Sequence, residues 1–165
     1  MKMNTFDYAI VVASDSRSLE QRKDLCIDVV KNALGEEFSC RYEKIISDDK
    51  QGITDELLYL CDEEIPLIIT SGGTGFSPRD NTPEATMAVI ERPTPGLSEA
   101  LRLISLEKTP FGMLSRGVSG IRSKSLIINL PGSPKAVKES LEGIKGPLIH
   151  GLEILLGLVG EHKSN

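Results

Sequence analysis

Tryptophan is absent from the sequence, and four phenylalanines and three tyrosines are the only other aromatics in 165 residues. Basic residues are also in the minority, 19 against 24 acidic, for a net charge of -5. A nucleic-acid binder shows a basic excess, so that class is disfavoured. Nowhere does an apolar stretch approach the roughly 20 residues that span a bilayer. The start, Met1-Lys2-Met3-Asn4-Thr5, lacks the apolar core of a signal peptide. The three cysteines, Cys26, Cys40 and Cys61, are odd in number and contain no CxxC pair. They read as reduced, small hydrophobes, which excludes a disulfide frame or zinc ribbon and leads to the expectation of a cytoplasmic protein. With 39% hydrophobic and 26% charged residues, what remains is an ordinary globular composition of a size for one domain over 1–165.

Apolar runs and helical patterns alternate along the chain. Residues 8–13, 66–70 and 125–130 are short, nearly all-apolar runs, as expected of strands buried on both faces. Residues 38–46 read as a more exposed strand. Leu25, Cys26, Val29, Val30, Ala33 and Leu34 recur at helical spacing before Gly35. Further helices are expected over 54–61 with Thr54 as N-cap, from Thr82-Pro83 to Ile90 with Thr82 as N-cap, over 97–106, and as two pieces over 134–144 and 148–158. The alternation implies an α/β fold, a three-layer sandwich with a mostly parallel central sheet flanked by helices.

In such sheets ligands bind beyond the carboxyl ends of the strands. Three unusual segments stand there: Ser14-Asp15-Ser16-Arg17, residues 71–80, and Pro131-Gly132-Ser133-Pro134. Thr70-Ser71-Gly72-Gly73-Thr74-Gly75 places three glycines in four positions, which lets amide groups approach an anion such as phosphate. It is neither a Walker A loop nor a GxGxxG fingerprint; a plain flexible turn is the alternative. Asp80, with Arg79 beside it, makes sense next to a phosphate cradle when magnesium lies between them; helix capping is the alternative. Ser47-Asp48-Asp49 offers a second metal or base position, or only a surface turn. Arg17, Arg79, Arg116 and Lys135 are candidates for local positive potential. His150 and His162 have no catalytic neighbour in sequence and read as structural or exposed.

The run Thr70-Ser71-Gly72-Gly73-Thr74-Gly75-Phe76-Ser77-Pro78-Arg79-Asp80-Asn81-Thr82-Pro83-Glu84-Ala85 closely resembles the signature of the molybdopterin adenylyltransferases, the MogA/MoaB group. The resemblance extends to Pro95-Gly96, Leu114-Ser115-Arg116 and Asn129-Leu130-Pro131-Gly132-Ser133-Pro134, and covers most of the chain. It implies transfer of AMP from Mg-ATP to the terminal phosphate of molybdopterin, with release of pyrophosphate. It implies Asp80 as a catalytic carboxylate acting through magnesium, and Asp48 as a second one, with Asp49 one place away as the alternative. Ser115 matches a serine tied to molybdopterin binding and turnover. Ser71, Gly72, Gly73, Thr74, Gly75 and Arg79 match the nucleotide-binding loop, and Pro131, Gly132 and Ser133 the second loop of the pocket. The resemblance also implies a homotrimer, with a hexamer as the alternative, and hand-over of product to a molybdate-insertion protein. Insertion proteins carry additional domains, so a chain of this length fits the adenylyltransferase better. One departure stands out: Leu25-Cys26 follows Asp24 where many relatives carry a small Ser/Gly pair. The rival reading is a carrier that binds molybdopterin without turnover, against which Asp80 argues.

Overall fold

The computed structural model describes residues 5–15 and 25–159; Arg17, Asp24, His162 and residues 1–4 lie outside them. Six strands form one sheet: β1 (Phe6–Ala13), β2 (Phe38–Ile46), β3 (Leu67–Ser71), β4 (Arg92–Pro93), β5 (Ser119–Arg122) and β6 (Ser125–Leu130). Their order is β2-β1-β3-β6-β5-β4. The first four in that order are parallel, and β5 and β4 continue the sheet antiparallel. The helices among the described residues are α1 (Leu25–Leu34), α2 (Lys50–Asp62), α3 (Thr82–Val89), α4 (Pro95–Lys108) and α5 (Pro134–Leu155).

Alternate residues of β1 serve opposite layers, because successive side chains of a strand point to opposite faces. Tyr8, Ile10 and Val12 pack with Val30 and Leu34 of α1, Leu101 of α4 and the buried stripe of α5. Ala9, Val11 and Ala13 pack with Ile53 and Leu57 of α2 and Ala85 and Val89 of α3. Both faces of the sheet are therefore covered, and β1, β3 and β6 are mostly apolar for that reason, with Thr70, Ser71, Ser125 and Asn129 as buried polar exceptions. The expected three-layer α/β sandwich is the one observed.

Four expectations need correction. The helix placed at 54–61 starts at Lys50 with Asp49 as its N-cap, and the Thr54 hydroxyl instead bonds the Lys50 carbonyl inside the helix. An Asp side chain one turn earlier outcompetes Thr54, since the Asp49 carboxylate accepts the Gly52 amide at 2.7 Å. For α3, Asn81 occupies the N-cap position, Thr82 is already helical, and the helix ends at Val89. Residues 134–155 form one helix rather than two, with Pro147 inside it. Val137, Leu141, Ile144, Leu148 and Leu152 make one continuous buried stripe across that proline, whose ring faces solvent, and the stripe outweighs the lost hydrogen bond. Strands β4 and β5 were not foreseen. They are two and four residues long, too short to show a period, and the β5–β6 turn uses Ser123 at φ 50°.

Candidate active site

The carboxyl ends of the four parallel strands lie level with one another. Ala13 pairs with Ile46, Val12 with Ser71, and Ser71 with Leu130. The segments that follow, starting at Ser14, Ser47, Gly72 and Pro131, therefore meet at one edge of the sheet. Gly72 turns the chain away from β3 at φ 90°, its amide bonding the Leu130 carbonyl at 3.1 Å. A Cβ there would stand 2.6 Å from the Ala13 carbonyl oxygen, so only glycine fits. Gly73 follows at φ 66°, against the Thr82 hydroxyl and 3.2 Å from Asp48 Oδ1 by the same measure. The Gly73 carbonyl accepts the Thr82 amide at 3.1 Å, which ties the loop to the start of α3. The amides of Gly73, Thr74 and Gly75 have no acceptor among the described residues. The Gly72 amide is committed to the sheet, which leaves three of the four loop amides open.

Asp48 is half-buried beside this loop. Its Oδ2 accepts the Asp15 amide at 2.9 Å, and its own amide donates to Asp15 Oδ1 at 2.9 Å. The ends of β1 and β2 are thereby locked to each other. Asp48 Oδ1 is buried and has no hydrogen-bond partner, and so is the Thr82 hydroxyl on the same side of Gly73. Burial pushes the Asp48 carboxyl above its ordinary range; the nearby Asp15 and Asp80 charges add to this, and the Asp15 amide works against it. Asp49, the alternative by one place, is spent on capping α2.

Asp80 closes the loop at Gly75. Its Oδ2 accepts the Ser77 amide at 3.0 Å, and a Cβ on Gly75 would stand 2.8 Å from the same oxygen. It does not cap α3. Arg79 points to Asp15, which it grips with Nε at 2.9 Å and Nη2 at 3.0 Å. That guanidinium, then the Asp48 amide and the Ser47 hydroxyl, hold the Asp15 carboxyl well below the usual carboxylate range. Arg116 donates to the Gly75 and Asp80 carbonyls and pairs with Glu84.

Ser115 is brought in by the Arg116 amide, which bonds the Thr74 carbonyl at 2.9 Å. It lines a small cavity of about 30 Å³ with Arg102, Gly117, Asn129 and Pro131. The Ser71 hydroxyl bonds the Pro131 carbonyl at 2.9 Å, and Gly132 lies against Gly72. Ser133 caps α5 through the Ala136 amide, and Lys135 is exposed in its first turn. His150 is exposed on α5.

Sequence reasoning noticed the Asp15 segment without assigning Asp15 a place, and it missed Asn81, Arg102 and Asn129. Asn129 donates to the Thr70 and Thr86 hydroxyls at 2.9 Å each and accepts the Val118 amide. An amide inside Leu-Ile-Ile-Asn-Leu was a readable signal, because a buried polar group needs partners. Asn81 bonds the Asp48 carbonyl at 3.1 Å, which no local pattern announces.

A model of the probable molybdopterin-binding domain family matches residues 9–151. The chain belongs to that family. This molybdopterin-binding-domain protein is 39% identical to a molybdopterin adenylyltransferase of Helicobacter pylori, over 94% of this chain and 90% of that one. It is 40% identical to one of Escherichia coli, over 91% and 81% of the two chains. The crystal structure of the molybdopterin biosynthesis enzyme MoaB from Thermus thermophilus covers 93% of this chain and 98% of its own, at a TM-score of 0.86 and 41% identity. None of the three cysteines of this family member forms a disulfide, and no helix among its described residues is long and apolar enough to cross a membrane.

Proposed function

We propose that this protein transfers AMP from ATP to the terminal phosphate of molybdopterin, giving adenylylated molybdopterin and pyrophosphate. Family membership and the named relatives support the activity. The observation that carries it in this chain is the pair Asp48 and Asp80, against Gly73 and Gly75 of a loop whose amides at 73–75 are open to an anion.

Magnesium belongs to this reading. The residues present fit it: the donors are hard carboxylate oxygens, and one of them, Asp48 Oδ1, is buried without any partner. Asp48 and Asp80 would hold the ion, which when bound neutralises charge on the phosphate oxygens. The amides of Gly73, Thr74 and Gly75 donate to phosphate oxygens of the nucleotide and to charge developing at the α-phosphorus. An oxygen of the molybdopterin phosphate forms the new bond to that phosphorus, and the bond to the bridging oxygen of pyrophosphate breaks. No general base is needed, because a phosphate monoester with a second pKa of about 6 is already ionised. Most of the catalysis is then positioning of two anionic partners. Ser115, which lines its cavity with Arg102 and Asn129, is assigned to the molybdopterin side.

Assembly as an oligomer, a homotrimer by the family resemblance, is part of the proposal; exposed Leu103, Leu106, Phe111, Met113 and Leu114 on α4 and the turn after it support self-association. A reducing, cytoplasmic setting accords with three cysteines that form no disulfide. The test is AMP transfer from Mg-ATP to purified molybdopterin by wild type and Asp80→Asn. Product from wild type and a loss of about 10²-fold or more in the folded variant is expected. Binding of molybdopterin by wild type with no product would overturn the transferase in favour of a carrier.

A further inference from the structure

Arg116 carries a positive charge beside two loops expected to hold phosphates, and the simplest reading makes it a phosphate ligand. The structure assigns it another task. We propose that Arg116 is a positioning residue: its guanidinium braces the chain from Gly75 to Glu84 and thereby sets the place of Asp80.

Nε donates to the Gly75 carbonyl at 2.7 Å and Nη2 to the Asp80 carbonyl at 2.8 Å. Nη1 pairs with the Glu84 carboxylate, and Nη2 reaches its second oxygen at 3.4 Å. The Arg116 amide adds a bond to the Thr74 carbonyl at 2.9 Å. One side chain thus ties together the last glycine of the loop, the backbone of Asp80 and the first turn of α3. Most of the five donors of a guanidinium are spent on these acceptors, which leaves little for a phosphate. The planar fork suits the task, whereas an ammonium is a point charge on a flexible stem. Arg116 also holds the Glu84 carboxyl below its ordinary range, so the pair stays charged. Asp80 has only short-range anchorage of its own, from Ser77. Without the brace the loop would still be tethered at Gly72, at Thr82 and through Arg79 to Asp15, but the Gly75 and Asp80 carbonyls would lose their tie to the segment that carries Ser115.

The catalytic arm of the test rests on the adenylyl-transfer reading; a second arm does not. Wild type, Arg116→Lys, Asp80→Asn and the double variant are compared for AMP transfer from Mg-ATP to molybdopterin. Arg116→Lys keeps the charge, yet kcat is expected to fall by roughly 10- to 100-fold with the KM for ATP within about threefold, because misplacement by an ångström costs that much. The double variant is expected to be no slower than Asp80→Asn alone, since Arg116 acts through Asp80. In parallel, amide hydrogen exchange of wild type and Arg116→Lys is measured without substrates. Faster exchange is expected at the hydrogen-bonded amides of the braced segment, Ser77, Asp80 and Thr82, with the sheet unchanged. Full activity in Arg116→Lys, a rise in KM alone, additive losses in the double variant, or unchanged exchange at those three amides would each overturn the brace. If wild type makes no product, the transferase reading falls, and the exchange arm still judges Arg116.

Discussion

Asp48 lies against Gly73 and Asp80 against Gly75 of one glycine loop, and the two are held by different means. Asp48 stands at the end of a strand, clamped by a reciprocal pair of amide bonds with Asp15, and one of its oxygens is buried without a partner. Asp80 stands in a surface loop, its carboxylate met by a single amide three residues back and its backbone braced from a distant segment. The sheet therefore positions the first carboxylate, and a side chain the second. A rigid anchor can hold a charge where folding alone would not favour it, whereas a loop residue needs an external brace to keep its place.

Each of the two carboxylates has its own glycine, and exchanging these glycines separates the two modes. Gly73→Ala puts a methyl at φ 66° against the buried, β-branched Thr82. Neither can give way, so a stability loss of about 1–3 kcal/mol is expected in denaturant titration, together with lost activity. A melting curve like that of wild type would show that the Asp48 side is softer than its contacts imply.

Asp48→Asn works in the opposite direction. Burial raises the Asp48 pKa in the folded state above the unfolded value of about 3.9. Ionising it therefore costs stability; the penalty begins as the pH rises past the unfolded pKa and is complete above the folded one. The metal-free variant is expected to melt at or above wild type at pH 7, with the difference shrinking toward pH 4, while AMP transfer falls. A variant that melts well below wild type at pH 7 would mean that the carboxylate charge is satisfied after all.

Gly75→Ala should have the smallest effect on stability. Its backbone is not left-handed, and the methyl meets only the far end of the Asp80 side chain, 2.8 Å from Oδ2. An unchanged melting temperature with a loss of activity of about tenfold or more is expected, since Asp80 alone must move. Loss of stability here would make Asp80 as rigid as Asp48 and remove the distinction.

The fold was largely readable because buried parallel strands are written as apolar runs, unbroken in residues 8–13 and interrupted only by Asn129 within 126–130. The candidate site was readable for a different reason: glycines at 72, 73 and 75 with an Asp at 80 form a local pattern. What escaped was contact between distant segments. Asp15 and Asp48 are 33 residues apart, and Arg116 reaches an oxygen 41 residues away. The choice between Asp48 and Asp49 was open for the same reason. Both are acidic and adjacent, and only the start of α2 assigns one to a cap.

By itself, then, the sequence determined the layers, the strand ends and the chemistry gathered there, because periodicity and glycine content act through neighbouring residues. Tertiary structure alone decided which carboxylate is left with an unpartnered oxygen, which loop amides remain open, and that Arg79 pairs with Asp15 and Arg116 with Glu84. Those outcomes depend on which donors and acceptors the sheet brings within about 3 Å, and hydrogen-bond partnership across tens of residues leaves no period in the chain.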